Sequence, residues 1–126
     1  MKRFIAIVLF CLAVPMFAAA DTITYSKCEL IDGKTLADVD KVFKSWRAVA
    51  DKDGYKDYKI RILIPHAAVD AAASTFWLEG SAPSFARSGA AFDWWYSDSD
   101  AAASLAAMNR VFTCGLQEIF RTGSSF

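Results

Sequence analysis

Histidine is nearly absent: His66 is the only one in 126 residues. One imidazole and two cysteines expected to be oxidised supply too few ligands for a tetrahedral zinc centre, so zinc is disfavoured. No Gly-x-Ser-x-Gly occurs, and nothing ties His66 to a particular serine and carboxylate, so a serine triad is not indicated. No Cys-x-x-Cys occurs either, which leaves a structural disulfide as the reading for a cysteine pair. Basic charge is not in excess, with 14 Lys plus Arg against 14 Asp plus Glu. A chain without a basic field has no electrostatic hold on nucleic acid. There is no internal repeat and no low-complexity tail. Asp51, Asp53 and Asp57 surround Gly54 somewhat as acids surround the glycine of a calcium loop, but the glycine comes two positions early and Ile62 stands where the bidentate Glu belongs. The cluster reads as a helix-terminating turn.

The chain opens on an export pattern. Lys2 and Arg3 form a basic tip, Phe4 to Phe17 an apolar run, and Ala18 and Ala20 an A-x-A cleavage pattern. The run is about 14 residues, whereas a helix crossing a hydrocarbon core needs roughly 20, so a permanent membrane anchor is not expected. Phe10 is too bulky for the position before a lipid-attachment cysteine, so Cys11 leaves with the leader. Residues 1–20 are thus read as a secretory signal peptide and 21–126 as a single domain, beginning at Asp21 and delivered to the periplasm or the extracellular space. Cleavage lowers Lys plus Arg from 14 to 12 and leaves 106 residues, enough to bury one modest core. Cys28 and Cys114 remain, and in an oxidising compartment two thiols pair by default. That bond closes a loop of about 85 residues and is worth about 4 kcal/mol in the chain-entropy model.

Thr22 to Leu30 alternates Ile23 and Tyr25 against Thr24, Ser26 and Cys28, the period of a strand. Asp32-Gly33 turns the chain, and Thr35 with Asp38 opens a helix as a capping box. Leu36, Val39, Phe43, Trp46 and Ala50 form one apolar stripe at steps of 3 and 4, widened by Val42 and Val49. The outer face carries Asp40 and Lys44 at the favourable i,i+4 spacing, and Asp53-Gly54 ends the helix. Tyr58 to Ile64 alternates as a second strand that Pro65 terminates, and Ser74 to Glu79, before Gly80, is a third. Ser81 is the expected cap of a second helix with Pro83 in its first turn and Phe85, Phe92 and Trp95 on its inner face. Ser97 and Asp100 open a short alanine-rich third helix to Met108. Val111 to Phe120 reads as the last strand, with Gly115 as a bulge.

This order is the split βαβ arrangement: a ferredoxin-like α+β sandwich, an antiparallel four-stranded sheet with helices on one face. Its first and last strands are antiparallel neighbours, which brings Cys28 and Cys114 together. The same order, with the apolar helix ending in Trp46-Arg47, the Phe76-Trp77 strand leading to Gly80, and the aromatic cluster from Phe92 to Tyr96, resembles the dimeric α+β barrel superfamily. That resemblance implies two sheets packed face to face in a homodimer and a small apolar ligand held between sheet and helices. It also implies, in some members, cofactor-free monooxygenase or isomerase activity on an aromatic or carbonyl compound. Haem-degrading members need a helix-borne histidine, and His66 follows Pro65 in a loop, so no cofactor is expected.

His66 has the one side chain whose ordinary pKa lies near neutrality, and it shares the role of candidate base with Asp93. A loop-capping or solvent-facing histidine is the alternative. Trp94 and Trp95 are adjacent on one helix and point about 100° apart, so both cannot sit in one small core. One of them is expected to line a pocket or an interface. Trp77 alternates with Phe76 and Leu78 and is placed on the open sheet face with Arg61 and Leu63. Trp77, Trp94, Trp95, Tyr58 and Arg61 are the candidate ligand-binding residues. Two readings follow: a non-catalytic binding or interaction module, dimeric through its sheet, or a small cofactor-free enzyme.

Overall fold

The computed structural model describes residues 22–66 and 73–121. The expected leader and cleavage point therefore lie outside the described residues, as does most of the segment after His66. The described elements run β1 (Thr22–Leu30), α1 (Leu36–Lys52), β2 (Lys59–Leu63), β3 (Thr75–Ala82), α2 (Phe85–Ser97), α3 (Ser99–Met108), β4 (Phe112–Cys114) and β5 (Glu118–Arg121). The sheet order is β2-β3-β1-β4, every pair is antiparallel, and β5 also pairs with β1. This is the ferredoxin-like α+β sandwich, with the first and last strands side by side at its middle and edge.

Helix α1 forms where the stripe predicts it. The Asp38 carboxylate accepts from the Thr35 amide at 2.9 Å and from its hydroxyl at 3.0 Å, and these two bonds hold the acid below the usual carboxylate range. Gly54 takes a positive φ of 87° just past the C-terminus, a conformation that costs other residues a steric penalty. Val39, Trp46 and Ala50 are buried, with Phe43 and Val49 packed against them. The i,i+4 ion pair that forms is Arg47 with Asp51 at 2.9 Å, not Asp40 with Lys44. Arg47 is held there because its two terminal nitrogens donate to the carbonyls of Tyr58 and Tyr55, at 2.6 and 2.8 Å, fastening the helix to the turn that leads into β2.

Two expected boundaries move. Ser81 lies in β3, which pairs with β1 as far as Ala82 opposite Thr22, and the helix starts later, capped by the Ser84 hydroxyl accepting from the Arg87 amide. Ladder hydrogen bonds thus carry the strand up to Pro83, which has no amide to donate. The later start turns Phe85 out to solvent, and Ser88, Ala91 and Trp94 become the buried positions of α2. The cap of α3 is Asp98, whose carboxylate accepts from the amides of Asp100 and Ala101, in place of Ser97.

The last strand is also two strands where one was expected. Cys28 faces Cys114 and Leu30 faces Phe112, whereas Tyr25 faces Glu118 and Thr22 faces Arg121. Between the two stretches β1 has residues 26–27 and its partner 115–117, one residue more. That is a bulge, at the glycine expected to form it, and the Gly115 amide donates to the Lys27 carbonyl at 2.9 Å. Because side chains alternate with a period of two, one extra residue moves Glu118 and Phe120 to the face opposite Cys114. Phe120 accordingly packs edge-on against Tyr25, centroids 5.6 Å apart, on the face away from the helices.

The helix-facing side is built around rings. Phe112 stacks on Phe43 and meets Phe76 edge-on, and Trp46 contacts Trp95 and Tyr58. Room for Tyr58 comes from β3: a Cβ added at Gly80 would lie 2.5 Å from Thr24 Oγ1 and 2.6 Å from the Tyr58 hydroxyl. Gly80→Ala is expected to cost about 1–3 kcal/mol, the range for over-packing a core. Urea denaturation measures it, and a loss below about 0.5 kcal/mol would show that Tyr58 yields freely.

Candidate functional site

Between the helices and the sheet lies a cleft of about 360 Å³. Phe43 comes from α1, Leu78 from β3, Phe92 and Trp95 from α2, Met108 from α3 and Phe112 from β4. These elements meet because α1 and α3 pack on each other while α2 packs on α3 and β3. Polar points are few: Ser26, Asn109, Gln117 and the Tyr96 hydroxyl. Among the described residues the lining has no carboxylate, imidazole, ammonium or guanidinium. Trp95 is backed by Trp46 at 5.3 Å and Tyr58 at 6.5 Å between centroids, and its buried Nε1–H has no acceptor among the described residues. Such a site can enclose a flat apolar molecule and offer it ring faces and a few neutral hydrogen bonds. Cys114 and Gly115 close the end of the cleft next to the Cys28–Cys114 disulfide, whose Cα atoms are 4.0 Å apart.

Of the two adjacent tryptophans, Trp95 lines the cleft. Trp94 is buried, stacks on Tyr55 at 4.6 Å and donates Nε1–H to Asp53 at 3.1 Å, tying α2 to the end of α1. Arg87 reinforces that joint by pairing with Asp57 through Nε at 2.7 Å, which holds the Asp57 carboxyl below its ordinary range. Tyr58 is buried beneath the cleft, and burial pushes its hydroxyl above the usual tyrosine range. His66 is exposed after β2, and Asp93 is exposed on α2; neither lines the cleft.

The open sheet face holds Trp77 and Arg61 with Glu79 between them in the alternation. Register sets Tyr25, Glu79 and Arg61 side by side across β1, β3 and β2. The Glu79 carboxylate, almost wholly buried, accepts from the Tyr25 hydroxyl at 2.9 Å and from Arg61 Nε at 2.8 Å, with Arg61 Nη2 on the same oxygen. The hydrogen bond to Glu79 raises the Tyr25 pKa, and desolvation and the carboxylate charge add to it. A tyrosine whose folded value is raised contributes stability that is fully present below about pH 10, its unfolded value, and is lost as the pH rises through the folded value. Unfolding midpoints in urea are therefore expected to fall as the pH rises above about 10 and passes through the raised folded value. The fall should be shallower in Tyr25→Phe; an equal fall would mean that the Tyr25–Glu79 bond does not bias ionisation.

An α+β sandwich whose helices and sheet enclose an aromatic cleft defines the class of this protein at the level of fold. Solved structures of the same fold include SnoaB, a cofactor-independent oxygenase from Streptomyces nogalater, with a TM-score of 0.60, 10% identity, and 85% of this chain and 97% of that chain covered. A point mutant of SnoaB matches with a TM-score of 0.59 and 12% identity over 84% of this chain and 97% of that chain. The likeness shows the fold, the ferredoxin-like α+β sandwich expected from the element order. No family model and no curated protein matches the chain.

Sequence reasoning passed over most of the cleft. Phe43 reads as part of the α1 stripe and Leu78 as opposite to Trp77 in the strand alternation, while Met108 and Phe112 carry no signal beyond their place in a helix and a strand. The shared parity of Tyr25, Arg61 and Glu79 was the available signal for the open-face cluster, but it becomes a cluster only once strand register is known.

Proposed function

We propose that this protein is an exported module that binds a small, neutral, apolar aromatic or carbonyl compound in the cleft and works as a homodimer through its open sheet face. The observation that carries the reading is the lining: rings and aliphatic chains, neutral polar groups, and no acid or base among the described residues. Export is supported by the pattern of residues 1–20 and by the compatible Cys28–Cys114 bond. Pairing is supported by the open face, where Trp77 and Phe120 are 37% and 47% exposed beside Tyr25.

The test uses 2-naphthol as the neutral probe. Leu105 of α3 also lines the cleft, and saturable binding is expected to fall at least about tenfold in Leu105→Trp, where the larger ring fills it. Absence of binding, or binding unchanged in that variant, overturns the cleft reading. Intact mass of protein from an exporting host should start at Asp21, and sedimentation equilibrium at micromolar concentration should give a dimer that Trp77→Lys dissociates. A monomer with Trp77→Lys fully tolerated removes the dimer from the proposal.

A second reading is a cofactor-free monooxygenase or isomerase with His66 or Asp93 as base, favoured by the fold shared with SnoaB, a cofactor-independent oxygenase. It requires a proton acceptor that reaches the bound compound. Oxygen uptake with an oxidisable phenol, abolished in His66→Ala or Asp93→Asn, would decide for it.

A further inference from the structure

We propose that the groove between α1 and β2 is a second binding site, for an amphipathic organic anion such as an aromatic carboxylate. The groove has a volume of about 390 Å³, within the range of small-molecule sites. Its floor is apolar: Phe43 and Trp46 from α1, Ile60 and Ile62 from β2. Its rim carries three cations, Lys44, Arg47 and Lys59, against a single acid, Asp40. Arg47 is already paired with Asp51. Lys44 and Lys59 are exposed and make no ion pair among the described residues, so the rim keeps a net positive charge beside the apolar floor.

The indole of Trp46 is an independent observation at the same place. Trp46 is 2% exposed, and its Nε1–H has no acceptor among the described residues. A buried donor without a partner is uncommon enough in native proteins to require a reason. Trp46 lines the groove, and an anion seated on its floor would supply the missing acceptor. The chemistry differs from that of the cleft, where no charged side chain is present: the cleft suits a neutral ring, the groove a ring or short chain ending in a negative charge. Phe43 lines both and forms the wall between them.

The probe is 2-naphthoate, with neutral 2-naphthalenemethanol as its uncharged counterpart. Binding is followed at the Trp46 indole resonance in ¹⁵N–¹H spectra, assigned by its loss in Trp46→Phe. Naphthoate is expected to shift that resonance saturably, with affinity at least about tenfold above the alcohol and reduced by a similar factor in Lys44→Glu/Lys59→Glu. Both lysines are exposed, so the double variant keeps the core, which circular dichroism verifies. Naphthoate affinity should be unchanged in Leu105→Trp, where the cleft is filled. No saturable shift at millimolar naphthoate overturns the site, as does equal affinity for the alcohol or in the double variant. Loss of naphthoate binding in Leu105→Trp would also overturn the groove, while leaving the cleft reading standing.

Discussion

Trp46→Ala is expected to destabilise the domain by about 3–5 kcal/mol, the range for emptying a buried aromatic site. The indole is 2% exposed and touches three other rings: Phe43 at 6.1 Å, Tyr58 at 6.2 Å and Trp95 at 5.3 Å between centroids. The Arg47 guanidinium covers it at 4.8 Å. Removing it opens a cavity under α1, and the neighbours can close that cavity only by giving up their edge-on contacts with one another. Trp46→Phe should cost much less, about 1–2 kcal/mol, because a ring is kept and the lost Nε1–H has no partner among the described residues. Urea denaturation of both variants measures the difference. A loss below about 1 kcal/mol for the alanine variant would mean that the stripe of α1 is not the core.

How much of this could be read from sequence follows the physics of each signal. The α1 stripe was legible because seven apolar positions recur at helical spacing between a cap and Gly54, and no other structure satisfies that spacing. Helix α2 was legible in existence but not in register. Ser81 and Ser84 are both adequate caps, and the choice between them is made by the β1–β3 ladder, a contact between residues 60 apart, Thr22 and Ala82. The error carried through to Phe85, placed inward by sequence and 69% exposed in the fold. The break of the last strand was half legible: Gly115 marks the bulge, yet only pairing with β1 shows that Phe120 thereby changes face.

The candidate site was less legible than the fold, for a related reason. A cleft is a space left between elements, and its outline depends on how α2 and α3 sit on β3, which no local pattern encodes. One of Trp94 and Trp95 could be nominated because two adjacent tryptophans cannot both be core, but which of them lines the cleft could not be told from spacing. The partners of Trp95 in the lining, among them Leu105 and Met108, carry no such mark, since an alanine-rich helix with two larger residues reads the same whether they face a core or a cavity. The salt link of Arg61 to Glu79 lay hidden likewise. Both sit at alternating positions of their strands, and only the register of β2 against β3 makes them opposite each other.

Replacing both cysteines, Cys28→Ala with Cys114→Ala, is expected to cost about 4 kcal/mol or slightly more. The crosslink spans 86 residues of chain, and the entropy it removes from the unfolded state grows with the logarithm of that length. A domain of this size has a total stability of about 5–15 kcal/mol, so the loss is a large fraction of it. Alanine is the replacement to use, because Cys28 is fully buried and a serine hydroxyl there would need a hydrogen-bond partner of its own. The loss should also be uneven. β4 has three residues and β5 four, they are separated by the bulge, and both hang on one edge of β1. Without the bond, amide exchange in β4 and β5 should accelerate beyond the global change, whereas β2 and β3, on the other side of β1, should follow global unfolding. Hydrogen exchange and urea denaturation of the double variant test both parts. A loss under about 1 kcal/mol would show that the unfolded chain is already compact enough for the crosslink to matter little, and uniform exchange would show that the edge strands are held by their ladder alone.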